Sequence, residues 1–338
     1  MKKIAVLCVT FVLVILSSCQ KGEDEYDVSP ETNVNALWEI IDQRYCFVSY
    51  KEKELGFEWA DIRDKYMAQV TPEMTRLQLF EVLCNMLAEL RDGHVNLYTS
   101  ADVGRYWNWK DDYPLNMDAE LQDSYLGKDY MIAGGLKYRI LDDNIGYIVC
   151  GSFSSGFGEG NLDDVLYQLR LCRGLILDIR SNSGGDLTYC ERLCQRFAHE
   201  KTLVGYTMHK TGKGHDDFSE PEPEYIEPSK GLRWQKRAVV LTNRSCYSAA
   251  NTFVRDMKEM PDVTVMGDST GGGSGLPFSS ELPIGWSVRF SACPSLNANM
   301  QHTEFGIAPD IKCSLDDTKA AQGIDSMIEA ARALLSQE

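Results

Sequence analysis

Four short stretches of this 338-residue chain carry side chains that work together in nucleophilic chemistry. Ser248 lies where an apolar run, Ala238 to Leu241, breaks at a polar turn and a helix-like segment opens with apolar Ala249, Phe253 and Met257. A serine between a strand end and a helix start can be held exposed, with the first N–H groups of the helix pointing at it. The same position suits a helix cap, and taken alone Ser248 reads as one. Leu177-Asp178-Ile179-Arg180-Ser181-Asn182-Ser183-Gly184-Gly185 runs from an apolar strand into a turn with two glycines. Such glycines let backbone N–H groups approach a ligand and form an oxyanion hole. A plain turn with Asp178 and Arg180 paired is the competing reading. Arg91-Asp92-Gly93-His94-Val95 ends a helical pattern at a glycine and presents a histidine, whose bland role would be to partner the helix dipole. His199, His209 and His215 fall at a helix end and in polar loops, and His302 in a polar stretch near the end, so His94 alone occupies a defined turn between apolar segments. Finally, Glu304-Phe305-Gly306-Ile307-Ala308-Pro309-Asp310-Ile311 sets a carboxylate beside a glycine turn, where it orients a base or lies solvated in a loop.

The elements that must position these residues follow from periodicity. Residues 31–91 are helical in pattern: Val34, Leu37, Trp38 and Ile41 recur at helical spacing, as do Leu77, Phe80, Leu83, Leu87 and Leu90. Pro72 marks a helix start. Residues 95–145 alternate like strands and loops and include the aromatic cluster Tyr106-Trp107-Asn108-Trp109. From Gly146 onward the pattern is α/β. Strands are expected at 145–149, 174–179 and 238–241, with helices at 161–172 and 187–199. Continuous apolar runs mark strands covered on both faces. Residues 210–235, rich in Gly, Pro, Glu and Asp, read as one long polar loop.

The beginning of the chain is a processing signal. Met1-Lys2-Lys3 is basic, and Ile4 to Ile15 is an apolar run too short to span a bilayer as a mature helix. Leu16-Ser17-Ser18-Cys19 resembles the lipobox of bacterial lipoproteins, which implies cleavage after residue 18, lipidation of Cys19 and anchoring to a membrane without crossing it. Residues 19–30, polar and acidic at their start, are expected to be a flexible tether. The net charge of −16 argues against nucleic acid or an anionic lipid surface as partner. Of 11 cysteines, Cys8 would leave with the signal and Cys19 carry lipid, and an odd remainder without short paired spacing is no disulfide framework. Cys190 and Cys194 lack the neighbours of a zinc site, so no metal and no cofactor are expected.

Together, GLILDIRSNSGGDL (174–187), VVLTNRSCYSAANTFVRDMK…VMGDSTGGGSG (239–275) and GIAPDI (306–311) resemble the tail-specific, or C-terminal processing, protease family, with its ClpP/crotonase-like core. The resemblance covers roughly residues 145–315 and implies a serine peptidase acting on polypeptides. It assigns the nucleophile to Ser248, with Asn251 where Glu is common, and the oxyanion hole to Ala249 with Gly184 or Gly185. Many members use a lysine about twenty-five residues after the serine, but none occurs between Lys258 and Lys312, and Lys258 would lie on the wrong part of the helix. The branch similar to the tricorn protease core takes its base from an Asp-Gly-His turn, which matches Asp92-Gly93-His94, and orients it with a glutamate, for which Glu304 is the candidate. The implied organisation is signal 1–18, tether 19–30, helical domain 31–100 carrying the Asp-Gly-His turn, connecting strands and loops 101–145, and peptidase core 146–338. About fifty residues separate His94 from Gly146, roughly half of what the PDZ module of many relatives needs, so that module is expected to be missing. Substrate capture would then rely on the cleft, with Tyr106, Trp107 and Trp109 as an apolar wall. The implied location is the bacterial cell envelope, most naturally its outer membrane. Two alternatives stay open: a catalytically inactive peptide-binding lipoprotein on the same fold, and a crotonase-like acyl enzyme, which an exported chain without a nucleotide-binding cluster disfavours.

Overall fold

The structure, a computed structural model, describes residues 27–337. The expected signal, Cys19 and most of the tether lie outside them. In chain order the elements are α1 (Pro30–Arg44), α2 (Val48–Leu55), α3 (Trp59–Met67), α4 (Arg76–Ala88), β1 (Asn96–Tyr98), β2 (Val103–Arg105), α5 (Ala119–Leu126), β3 (Met131–Ala133), β4 (Leu136–Ile140), β5 (Ile145–Val149), α6 (Glu159–Leu169), β6 (Gly174–Asp178), α7 (Leu187–Cys194), β7 (Thr202–Thr207), β8 (Glu222–Ile226), β9 (Ala238–Thr242), α8 (Ala249–Met257), β10 (Val263–Gly267), β11 (Gly275–Glu281), β12 (Ser287–Asn297), β13 (Ile311–Lys312), α9 (Asp317–Ala320) and α10 (Ser326–Leu335). No described helix is long and apolar enough to cross a membrane.

A seven-stranded sheet, ordered β13-β10-β9-β6-β5-β4-β3, is the centre of the α/β part. From β13 to β5 the pairs are parallel, and β4 and β3 close one edge antiparallel. Strands β5, β6 and β9 are buried at every position because helices cover both faces, which is why their sequences are unbroken apolar runs. One face packs Leu162, Val165, Leu193, Phe253 and Val254 of α6, α7 and α8, and the other packs Leu126, Ile328 and Ala331 of α5 and α10. β3 and β4, from the segment read as connecting strands and loops, extend this sheet on the N-terminal side of residue 146. Short, half-exposed β3 and β4 gave that segment the look of a connector.

The second sheet is ordered β2-β1-β12-β7-β8, with β11 also paired to β12. It joins the two parts of the chain: β1 follows the N-terminal helices, and β12 comes from the C-terminal part. Leu97, Val288, Phe290 and Trp286 enter the same core as Val34, Leu37, Trp59 and Leu83 of the helices. The helical pattern of residues 31–91 resolves into four helices. The last starts at Arg76, where Thr75 and Gln78 form a capping box, and not at Pro72. Within the expected loop 210–235, Glu222–Ile226 forms edge strand β8, which tolerates Pro223 and its charges because one side has no partner strand. The nine described cysteines are all free thiols.

Candidate active site

Ser248 occupies the N-cap position of α8 but does not cap it: its side chain accepts no hydrogen bond from the helix. Its backbone has φ +57°, a strained geometry for a residue with a Cβ, and this turns the hydroxyl out of the helix axis. Two loops hold the turn. The Ser248 N–H donates to the Gly272 carbonyl at 2.9 Å, and the Gly271 N–H to Cys246 at 2.7 Å. Gly272 sits at φ +89° with the Glu304 carbonyl 1.8 Å from where a Cβ would stand, so only glycine lets the loops dock. Asn251, in the first turn of α8, ties both loops down by accepting from Thr270 Oγ1 at 2.6 Å and donating to Thr303.

The Gly184-Gly185 turn lies against this elbow. A Cβ on Gly184, φ +101°, would come within 2.9 Å of Ser248 Cβ and of the Ala249 nitrogen. Asn182 builds the turn: its Nδ2 donates to the Cys150 carbonyl, its carbonyl accepts from the Tyr247 N–H, and its Oδ1 accepts from the Gly184 N–H at 2.9 Å. The Gly184 amide is therefore spent, which corrects its assignment as an oxyanion donor; its part is to leave room. Gly185 and Ala249 line the cleft with Ser248, and among the described residues neither amide has a backbone acceptor. Asp178 and Arg180 form a buried ion pair with Asp325, 2.7 and 2.9 Å, outside the cleft.

His94 comes from the other part of the chain, 154 positions away, and its Nε2 lies 2.9 Å from Ser248 Oγ. The Arg91 to Val95 turn is built around the buried Asp92 carboxylate. It accepts from the His94 N–H at 2.7 Å, from Tyr45 Oη at 2.7 Å and from Tyr247 Oη at 3.2 Å. The Tyr247 ring meets the imidazole edge-on at 5.1 Å, and Trp109 stacks on the Tyr247 ring at 4.5 Å. Trp107 lines the cleft itself.

Glu304 is not brought to His94. Its carboxylate pairs with buried Lys51 at 2.8 Å and accepts from the Ser274 N–H at 2.9 Å, while His94 Nδ1 has no hydrogen-bond partner among the described residues. The expected orienting contact is corrected on that ground: a buried ammonium has claimed the carboxylate. Burial and the Asp92 charge push the Glu304 carboxyl up to about 7, against the pull of Lys51. Burial also raises Asp92, but Lys51, His94 and the hydrogen bonds outweigh it and hold this carboxyl below its usual range. His94 is drawn below its ordinary value by burial, with Asp92 opposing and the Arg289 and Lys51 charges assisting. The result is a neutral imidazole facing a hydroxyl, with a fixed negative charge behind it.

Lys258 follows the last residue of α8 and contacts the Ala308 carbonyl at 3.1 Å and Asp310, with no hydrogen bond to Ser248 or His94 among the described residues. His199 and His215 pair with Asp262 and Asp42, and His302 packs on Tyr50. No cluster suited to a metal ion occurs among the described residues. Periodicity alone missed Lys51, which reads as a solvated position on α2, and it missed Tyr45 and Asn182. At the head of the charged run Lys51-Glu52-Lys53-Glu54, a lysine destined for burial looks like its solvated neighbours.

Residues 144–313 match peptidase family S41. Over 180 residues the chain is 27% identical to the carboxy-terminal processing protease CtpA of Bacillus subtilis (strain 168); the match covers 52% of this chain and 36% of that protein, so the chain spans about a third of that relative's length. A crystal structure of a candidate peptidase from Parabacteroides merdae is 52% identical, with a TM-score of 0.88, covering 92% of this chain and 98% of that one. Mature CPAF shares the fold at 11% identity, with a TM-score of 0.69 over 91% of this chain and 96% of its own. The chain belongs to peptidase family S41.

Proposed function

We propose that the protein is a serine peptidase that hydrolyses peptide bonds of exported proteins or peptides, with Ser248 as nucleophile and His94 as general base. The 2.9 Å approach of His94 Nε2 to Ser248 Oγ carries this reading, since residues so far apart in the chain meet at the donor–acceptor distance proton transfer needs. His94 takes the hydroxyl proton as Ser248 attacks the carbonyl, then gives it to the leaving amine. The Asp92 charge stabilises the imidazolium formed between these steps. The Gly185 and Ala249 amides receive the developing oxyanion, a contribution of about 3 kcal/mol per donor. The strained backbone at Ser248 supports a nucleophile and not a cap.

A fluorophosphonate probe tests the reading: Ser248 is expected to be labelled in the wild type, and the label to disappear in Ser248→Ala and to fall sharply in His94→Ala. A well-folded wild type that takes no label would favour the catalytically inactive, peptide-binding alternative. Lipidation at Cys19 and residence in the cell envelope are part of the same proposal, supported by the basic and apolar start and by Leu16-Ser17-Ser18-Cys19. Mass analysis of the mature N-terminus would decide it.

A further inference from the structure

A buried lysine outside the proton-transfer path touches both halves of the site. Of the eight residues of α2, only Val48 and Lys51 are buried, three positions apart on its inward face, while Lys53 and Glu54 face solvent. Taking an ammonium out of water is expensive, and a well-packed apolar side chain in its place often gives an equally stable or more stable protein. Stability is therefore a weak reason for a lysine here, and its contacts supply a better one.

Toward the helical part, the Lys51 ammonium reaches the Arg91 carbonyl at 3.5 Å. Arg91 has φ +47°, a conformation rare for a residue with a Cβ, and it is the bend that starts the Asp92-Gly93-His94 turn. Toward the core, the same ammonium pairs with Glu304 Oε1 at 2.8 Å, and the Phe305 ring lies 4.6 Å from it. Glu304 passes the contact on: its other carboxylate oxygen accepts from the Ser274 N–H at 2.9 Å, and its backbone carbonyl from the Gly273 N–H at 3.0 Å. The adjacent Gly272 carbonyl is the acceptor of the Ser248 N–H. One side chain thus ties the bend that presents His94 to the loop that holds Ser248, and it does so without lining the cleft on either side.

The same cation serves two carboxylates. Asp92 and Glu304 are both buried, and two such groups ionise together only with a positive charge beside them. The other titratable groups facing Glu304 are Tyr45, Cys46, Tyr50 and Tyr247, whose phenols and thiol burial pushes up, so they stay neutral. His94 is faced by Asp92, Tyr247, Arg289 and Lys51. Resting on the peptidase reading above, we propose that Lys51 is a positioning residue of the reaction: its ammonium sets the approach of His94 to Ser248 and keeps Asp92 ionised beside the imidazole.

The test compares the wild type with Lys51→Met and with Lys51→Met/Glu304→Gln, the double variant ensuring that Glu304 is not left buried without its cation. For each, kcat and KM on a peptide the wild type cleaves are followed across pH, together with the melting temperature. In both variants kcat is expected to fall by about 10²-fold, the scale of a small misplacement of reacting groups, while KM stays within about twofold because Lys51 does not meet substrate. The acid limb of kcat/KM should move to higher pH, since the Lys51 charge disfavours the imidazolium and its removal lets His94 take up a proton earlier as pH falls. The Glu304 inflection, near 7 in the wild type, should move up in Lys51→Met, where the ammonium no longer pulls it down, and vanish in the double variant. If Lys51→Met alone fails to fold, the double variant decides. A double variant with wild-type kcat, an acid limb that stays in place, or a loss carried by KM overturns the inference, as does failure of both variants to fold, which would make the pair a matter of folding alone. Fluorophosphonate labelling of wild-type Ser248 separates the two levels: labelled protein whose variants keep their kcat defeats only the role of Lys51, whereas unlabelled, inactive protein defeats the peptidase reading and this inference with it.

Discussion

The Ser248 turn and the His94 turn meet at one hydrogen bond but are built from different materials. Around Ser248 the structure is backbone: a residue at φ +57°, glycines where a Cβ would collide with neighbouring chain, and two cleft-lining residues, Gly185 and Ala249, whose amides have no backbone acceptor among the described residues. Around His94 it is buried charge: Asp92, Lys51 and Glu304 within one desolvated cluster, roofed by Tyr45 and Tyr247. Rigid backbone suits the partner that must hold geometry through the reaction, because aligned amides need no reorganisation as charge develops. A charged cluster suits the partner whose proton affinity must be set, because in a desolvated site small changes in neighbouring charge shift it strongly. Tyr247 belongs to both, next to Ser248 in sequence and bonded to Asp92 through its hydroxyl.

This contrast can be broken most violently at the reacting atoms. Ser248→Ala and His94→Ala should each lower kcat by about 10⁴-fold or more, with melting temperatures close to the wild type by calorimetry. If either variant keeps substantial turnover, the pairing is not the catalytic one. On the backbone side, Gly184→Ala should cost about 10²–10³-fold in kcat/KM, the scale of a lost oxyanion-hole interaction, and should also lower the melting temperature. Undiminished activity would mean that the turn has room the geometry denies.

On the charge side the effects should be smaller and visible in pH profiles. Asp92→Asn preserves size but removes the negative charge that holds the His94 affinity up. We expect kcat to fall by about 10–100-fold and the acid limb of kcat/KM to move to lower pH, since the imidazole then stays neutral further into acid. A limb moving to higher pH would contradict the assignment of Asp92. The wild-type limb itself should fall below the ordinary histidine value, because burial penalises the imidazolium. Glu304→Gln should have the mildest effect, within about tenfold in kcat/KM. It should also erase an inflection near pH 7, where the wild-type carboxyl, raised to about 7, ionises as pH increases. A loss as large as that of His94→Ala would instead make Glu304 the direct orienting group.

How much of this was legible before folding differs between the same two regions. Strands β5, β6 and β9 and the start of α8 could be read to within a residue or so, because a strand buried on both faces leaves an unbroken apolar run and the serine turn follows it directly. Pro72 suggests a helix start, whereas α4 begins at Arg76, where Thr75 and Gln78 carry the capping-box signal. Edge strand β8 reads as loop in the sequence, and β3 and β4 read only as part of a run of connecting strands and loops, since a half-exposed strand of a few residues carries little pattern of its own. Gly184 could be recognised as necessary but not as already hydrogen-bonded, which required knowing where the Asn182 side chain turns.

By itself, the sequence determined the local chemistry: a serine at a strand-to-helix turn, a glycine turn to face it, a single well-placed histidine, and no lysine where one would compete. These rest on contacts between near neighbours, which residue type and spacing dictate. Only the tertiary structure decided which carboxylate stands beside His94. Glu304 and Asp92 are alike in type, but Lys51, from a helix more than two hundred residues before Glu304, took one of them and left Asp92 behind His94. A desolvated ion pair goes to whichever partner the packing delivers, and the order of residues along the chain does not say which that will be.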